Sequence, residues 1–271
     1  MATGNPTGNT GSANNANTSG SATVVPTERD RRLIAGAVRH GRLVASQAWR
    51  WEWPTSPTIT LARNRLHKLT AVSWLRHLPL LRGEGVYVPT PAGARLVADL
   101  TGGLAAPTLP AAHKRLWLGQ LGHALTVAEV ERWLLTRKGA AGARFLTERE
   151  VIRAHLLALP PAQRHGVAGL RFRPDGVVLL PTGERIAVEV ELTTKATARL
   201  GEKLRWYRDE SGYAEVLWLV PPRGGVEPPL LDAIAAVDPD GALMAVETLP
   251  PACLRYVPGS DRAVGEKEQG P

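Results

Sequence analysis

The residues of this chain best placed to do chemistry lie in one stretch, RFRPDGVVLLPTGERIAVEVELTTK, from Arg171 to Lys195. Asp175, Glu189 and Glu191 punctuate apolar runs that read as two strands. Pro181-Thr182-Gly183 is a turn signal between them. Taken as a three-residue loop, it pairs Leu180 with Glu184 and brings Asp175 opposite Glu189. Glu191, two residues on, shares that face with Arg173 and Val177. The alternate positions, Phe172, Val178, Ile186, Val188, Val190 and Leu192, form the core face.

Carboxylates gathered at one end of a sheet repel one another unless a cation neutralises them. Mg²⁺ and Mn²⁺ favour oxygen ligands and can activate a water toward a phosphate. Asp175, Glu189 and Glu191 are therefore candidate metal ligands and, with a lysine, candidate catalytic residues. Lys195 stands four residues after Glu191, at the start of the next expected helix. Lys203 lies further along that helix, and Arg199 stands between them on the same face. Either lysine could orient a water or stabilise transition-state charge. Glu148, in TERE, reads either as an outer ligand or as a helix N-terminal acid. His123 reads as a ligand or as a capping or packing residue. A second interpretation needs no chemistry: VEVE is also the pattern of a half-solvated strand. A one-residue slip would set Asp175 opposite Val190, and the basic series could be a solvated helix face paired with Glu202 and Asp209.

The elements that must carry these residues follow from periodicity. Beyond His123, the helical region 111–138 buries Leu121, Leu125, Val130, Trp133 and Leu134. RFLTEREVIRAHL reads as a short strand leading into a turn or helix. The paired strands come next, then helix TTKATARLGEKLRWYRDE, strand YAEVLWLVPP, helix EPPLLDAIAAVD and strand ALMAVETL. That order predicts an α/β domain with a mixed sheet.

The N-terminal half reads differently. Thr27 is an N-cap for a helix bearing Leu33, Ile34, Ala37 and Val38, with Glu28 and Asp30 in its first turn. A short helix follows near Ala45–Trp51. Ser56 and Pro57 suggest the start of a third helix, whose apolar stripe is Ile59, Ala62, Leu66 and Leu69. Its opposite face holds Thr60, Arg63, Asn64, His67 and Lys68. Two short strands flank Arg82-Gly83-Glu84-Gly85, and Thr90 caps a further helix. Three helices and a hairpin predict a winged helix-turn-helix, with Thr60, Arg63, Asn64, His67, Lys68 and Arg82 as candidate DNA contacts. Trp49, Trp51 and Trp53 read as packing residues. The fold class is thus α+β, an N-terminal winged helix-turn-helix followed by an α/β domain.

Composition narrows the partners. The 271 residues carry a formal net charge of +8 and are 44% hydrophobic, so the chain can bury a core and suits a polyanion. Double-stranded DNA is the expected partner; an anionic membrane surface is the other candidate. An arginine excess also follows from GC-rich coding. The single cysteine, Cys253, excludes an intramolecular disulfide and a cysteine-rich zinc site. No apolar run is long enough to span a bilayer, so membrane insertion is not expected. No secretory signal is visible, and a cytoplasmic location is expected. Residues 1–26 and 258–271 are too polar to order on their own and are expected to be disordered tails. The expected units are 27–101 and 111–257, with 102–110 as linker.

PDG followed by a strand bearing EVE resembles the PD-(D/E)XK nuclease superfamily. That resemblance implies metal binding by Asp175 and Glu189, with Mg²⁺ or Mn²⁺ as cofactor if the site is active and none otherwise. Glu191 stands where most members have lysine, so Lys195 or Lys203 would take that part, or the domain would bind without cutting. A resemblance to replication-relaxation proteins spans nearly the whole chain. It rests on TERDRRLIAGAVRHGRLVASQA, ARNRLHKL and VYVPTPAGARLV, then LRFRPDGVV, VEVELTTKA and EKLRWY. It implies a DNA-binding protein of plasmids or mobile elements, acting in replication control or transfer beside replication or transfer proteins. A homodimer on a palindromic site is compatible with it.

Overall fold

A computed structural model of the chain describes residues 25–79, 84–106, 120–137, 141–160, 172–195, 197–209 and 211–257. The expected tails fall outside these residues apart from Val25 and Pro26, as do Arg82 and residues 107–119.

The described residues open with helix α1 (Glu28–His40). Thr27 and Asp30 form a reciprocal capping box there. Asp30 is more than a first-turn acid, being fully buried and gripped by Arg65. Strand β1 (Leu43–Val44) and helix α2 (Ala45–Glu52) follow. Helix α3 (Thr60–Ala71) begins later than Ser56 and Pro57 suggest. The Ser56 hydroxyl donates instead to the Thr58 carbonyl, closing a local turn. Ala62, Leu66 and Leu69 are fully buried in the core shared with α1 and α2, as their spacing requires. Strands β2 (Leu75–Leu78) and β3 (Val86–Pro89) pair antiparallel, and β1 adds to the free side of β3. Two residues are too few to show a period, so β1 is not readable from the sequence. Thr90 caps helix α4 (Pro91–Leu96) through the Gly93 amide.

The second half begins with helix α5 (Leu121–Thr136), strand β4 (Arg144–Thr147) and helix α6 (Glu148–Ala158). Strands β5 (Gly176–Leu179) and β6 (Arg185–Val190) follow, then helix α7 (Thr197–Asp209) and strand β7 (Glu215–Val220). Helix α8 (Glu227–Ala235), strand β8 (Met244–Thr248) and a 3₁₀ helix (Pro251–Tyr256) complete the order. The sheet runs β4-β5-β6-β7-β8, antiparallel through β6 and parallel beyond it. Helices α7 and α8 cover one face; α5 and the 3₁₀ helix cover the other. The whole is a mixed α+β architecture. Among the described residues no helix is long and apolar enough to cross a membrane.

The two halves meet along a partly buried polar seam. Arg39 of α1 reaches Glu131 of α5, Glu150 of α6 at 3.1 Å and the Phe145 carbonyl at 2.6 Å. His40 Nε2 lies 2.5 Å from Glu131. Arg50 of α2 pairs with Glu129 at 2.5 Å and donates to the Tyr256 hydroxyl at 3.0 Å. Apolar contact comes from Val44, Val86 and Val88 against Leu125. Burial pulls the Glu131 carboxyl pKa upward, but the charges and hydrogen bonds of His40 and Arg39 outweigh it and leave it below the usual range. Removing one partner of such a network strands the others in a dry environment. Glu131→Ala should therefore cost about 3 kcal/mol of unfolding free energy, read from the urea midpoint; a change within error would remove the seam as a source of stability.

Candidate functional site

The loop geometry expected for Pro181–Gly183 is present. The Leu180 amide donates to the Glu184 carbonyl at 2.9 Å, and Gly183 takes φ +90, a conformation glycine adopts without strain. Gly176 pairs with Val188, so Asp175 stands opposite Glu189 at the end of the ladder. Gly176 also admits the Phe145 ring, which would overlap any Cβ placed there.

The face bearing Glu189 and Glu191 is not solvated. Glu189 is 1% exposed and Glu191 5%, because α7 and α8 lie across it. Each carboxylate has its own cation. Lys203 Nζ, from α7, lies 2.6 Å from Glu189, and Lys195 pairs with Glu191. Lys195 sits in the connection before α7 rather than on the helix, and Arg199 is exposed. Glu148 pairs with Arg173 at 3.1 Å, while its amide donates to the Asp175 carbonyl at 3.2 Å. Phe172 departs from the expected alternation. It lies before β5 and packs its ring 6.0 Å from Trp206 of α7, on the Glu189 side.

Asp175 faces a different set of partners. Its carboxylate accepts from the Val190 amide at 2.8 Å and lies 3.2 Å from His123 Nε2. That same nitrogen is 3.0 Å from the Val190 carbonyl. Helix α5 therefore brings an imidazole to the point where β5 and β6 present two oxygens. His123 thus joins the site, a role that only docking across 52 residues of chain reveals. Tyr207 was not singled out from sequence. It donates to Glu189 and lies one helical turn beyond Lys203, a spacing that pointed to it. The Trp218 ring packs beneath Lys203 at 5.6 Å.

The electrostatics follow from this arrangement. Burial raises the Glu189 carboxyl to about 7; Lys203 and Tyr207 oppose the rise, and the Asp175 charge adds to it. Burial would also raise Asp175, but His123, Lys203 and the Val190 amide overcome it, and its pKa falls below the ordinary value. Burial depresses His123, yet its bond to Asp175 and the charge there more than compensate, and the net direction is upward. Among the described residues no group of three or more His, Cys, Asp or Glu side chains could hold a metal ion. The oxygen donors that could take part in holding a divalent cation are Asp175 and Glu189, whose charges are coupled. Glu191 instead lines a small recess with Lys195, Leu200 and Leu230.

On the other half, Thr60, Arg63, Asn64, His67 and Lys68 of α3 are all exposed, as their spacing predicts. His67 is also held edge-on by His77 and Tyr87, with ring centroids 6.0 and 6.2 Å away. Many other N-terminal arginines are occupied. Arg31 pairs with Asp99, Arg32 with Glu52, Arg39 with Glu131 and Glu150, Arg50 with Glu129 and Arg65 with Asp30. Among the described residues Arg63 and Lys68 of α3, Arg76 of β2 and Arg95 of α4 form no ion pair.

Comparison with known proteins places residues 40–217, more than half of the chain, within the model of the replication-relaxation family. No curated protein and no solved structure matches the chain.

Two expectations test the electrostatics. The His123 pKa is higher in the folded chain than its ordinary 6.5. Its stabilisation is complete below that value and is lost as pH rises through the elevated one. Urea unfolding at pH values rising from the ordinary 6.5 should show this decline, and His123→Ala should flatten it. Lys203→Met should move the Glu189 midpoint above about 7, as read by carboxyl ¹³C NMR; an unchanged midpoint would show that the lysine does not set it.

Proposed function

The chain belongs to the replication-relaxation family, and from that membership we propose that it binds double-stranded DNA through the exposed face of α3, in replication control or transfer of a plasmid or mobile element. The observation that carries this reading is the distribution of unpaired cations. Acids neutralise many arginines of α1 and α2 and of the seam, whereas Arg63 and Lys68 are left unpaired on the exposed face of α3. Such residues can neutralise phosphates and release counterions. Helix α3 then enters the major groove as the recognition helix of a winged helix-turn-helix, with Asn64 offering a base-reading amide and the β2–β3 hairpin beside the backbone. The double substitution Arg63→Ala/Lys68→Ala should weaken duplex binding by about tenfold or more and reduce the salt slope of log K by roughly two. Filter binding over a salt series measures both, and an unchanged slope removes α3 from the interface.

A second reading assigns the sheet domain a metal-dependent endonuclease activity of PD-(D/E)XK type. It is favoured by Lys203 lying 2.6 Å from Glu189, which Asp175 faces across the ladder. Mg²⁺ or Mn²⁺, held by Asp175 and Glu189, would supply Lewis-acid activation of water or phosphate. Lys203 would hold positive charge beside the phosphate, and Tyr207 would orient Glu189. Under this reading supercoiled plasmid is nicked with either cation, and Asp175→Ala and Glu189→Ala each abolish nicking at equal DNA occupancy. Binding without cleavage in all three proteins assigns the sheet to a scaffold.

A further inference from the structure

Between α6 and α7, over strand β5, lies a cavity of about 410 Å³. Its volume falls in the range of small-molecule sites. The cavity exists because α7 and α8 cover the β6–β8 side of the sheet while α6 packs by the β4 edge, leaving a gap above Val177. Phe172, Trp206 and Tyr213 bring three aromatic rings to its walls. Arg185 lays its guanidinium 4.5 Å from the Tyr213 ring centroid, and His155 adds an imidazole. Among the described residues no carboxylate lines the space.

These features specify a ligand. A flat aromatic body suits the Phe172–Trp206 wall, where stacking supplies affinity. The Arg185 guanidinium at the rim suits an attached negative charge. A nucleobase carried on its phosphate backbone meets both requirements; an aliphatic side chain meets neither. The position is also informative. Trp206 packs on Tyr207 with centroids 4.8 Å apart, and Tyr207 donates to Glu189. The cavity is thus one aromatic layer from the Asp175–Glu189–Lys203 group.

We propose that this cavity receives the base of an unpaired nucleotide. The inference rests on the reading of the chain as a DNA-binding protein but assigns it a second, single-strand contact, separate from α3. The test uses the full chain and fluorescent 12-residue strands (oligodeoxythymidylate, and an abasic backbone of equal length and charge). Wild type should bind the abasic strand about tenfold or more weakly, since each stacked base contributes strongly to affinity. Arg185→Ala and Trp206→Leu should lower thymidylate binding toward the abasic level while leaving duplex binding intact. Displacement by dTMP assigns the pocket to free nucleotides; retention against dTMP assigns it to a base within a strand. Equal binding of the two strands by the wild type overturns the proposal, whatever the variants do. Duplex binding that persists in that case leaves α3 standing, whereas base discrimination without duplex binding does the reverse.

Discussion

One guanidinium sets the relation between the two halves. Arg39 ends α1 and is claimed by Glu131, Glu150 and the Phe145 carbonyl, so α1 cannot shift without stranding a charge. Helix α3 is tied to α1 by Arg65 on Asp30 within a shared core, and β4 carries Phe145 into the sheet core. The outward face of α3 and the carboxylates of β6 are therefore held in one frame by a polar contact. Polar seams of this kind contribute orientation more than net affinity, because desolvation offsets much of their Coulomb gain. The family match runs from His40 beside that arginine to Leu217 in β7, and so spans the seam.

The same economy of charge explains why the chain's basic surplus is uneven. Counted in sequence, the N-terminal half is rich in arginine everywhere. In the fold, Glu52, Asp99, Asp30, Glu129, Glu131 and Glu150 bind arginines of that half. Among the described residues of that half, what stays free is Arg63 and Lys68 on the exposed face of α3, with Arg76 on β2 and Arg95 on α4. Composition could indicate a polyanion but not the place where it lands, since pairing depends on which acids other elements deliver.

Much of the β5–β6 hairpin was legible because its information is local. Pro181-Thr182-Gly183 defines the turn, the turn defines the register, and the register sets Asp175 opposite Glu189. The α3 stripe was legible for the same reason: a helix repeats its face every turn. What could not be read was whatever arrives from afar. The choice between a solvated face and a buried one for Glu189 depended on α7 and α8 folding back over it. His123 could not be told from a packing histidine, because its partners are 52 and 67 residues away. Phe172 broke the alternation since β5 begins only at Gly176. Ser56 was a sound capping residue in type, but its hydroxyl was spent on a nearer carbonyl.

Tyr256 gives the seam a temporal property. Its hydroxyl meets Ser46 at 2.7 Å and Arg50 at 3.0 Å, across 210 and 206 residues of chain. During synthesis α2 emerges early and Arg50 can meet Glu129 once α5 follows, but the Tyr256 hydroxyl reaches Ser46 and Arg50 only when almost the whole described chain has left the ribosome. The junction between the halves is consequently finished last. Its closure joins the two ends of the described chain, so that the final 3₁₀ turn acts as a clasp on α2.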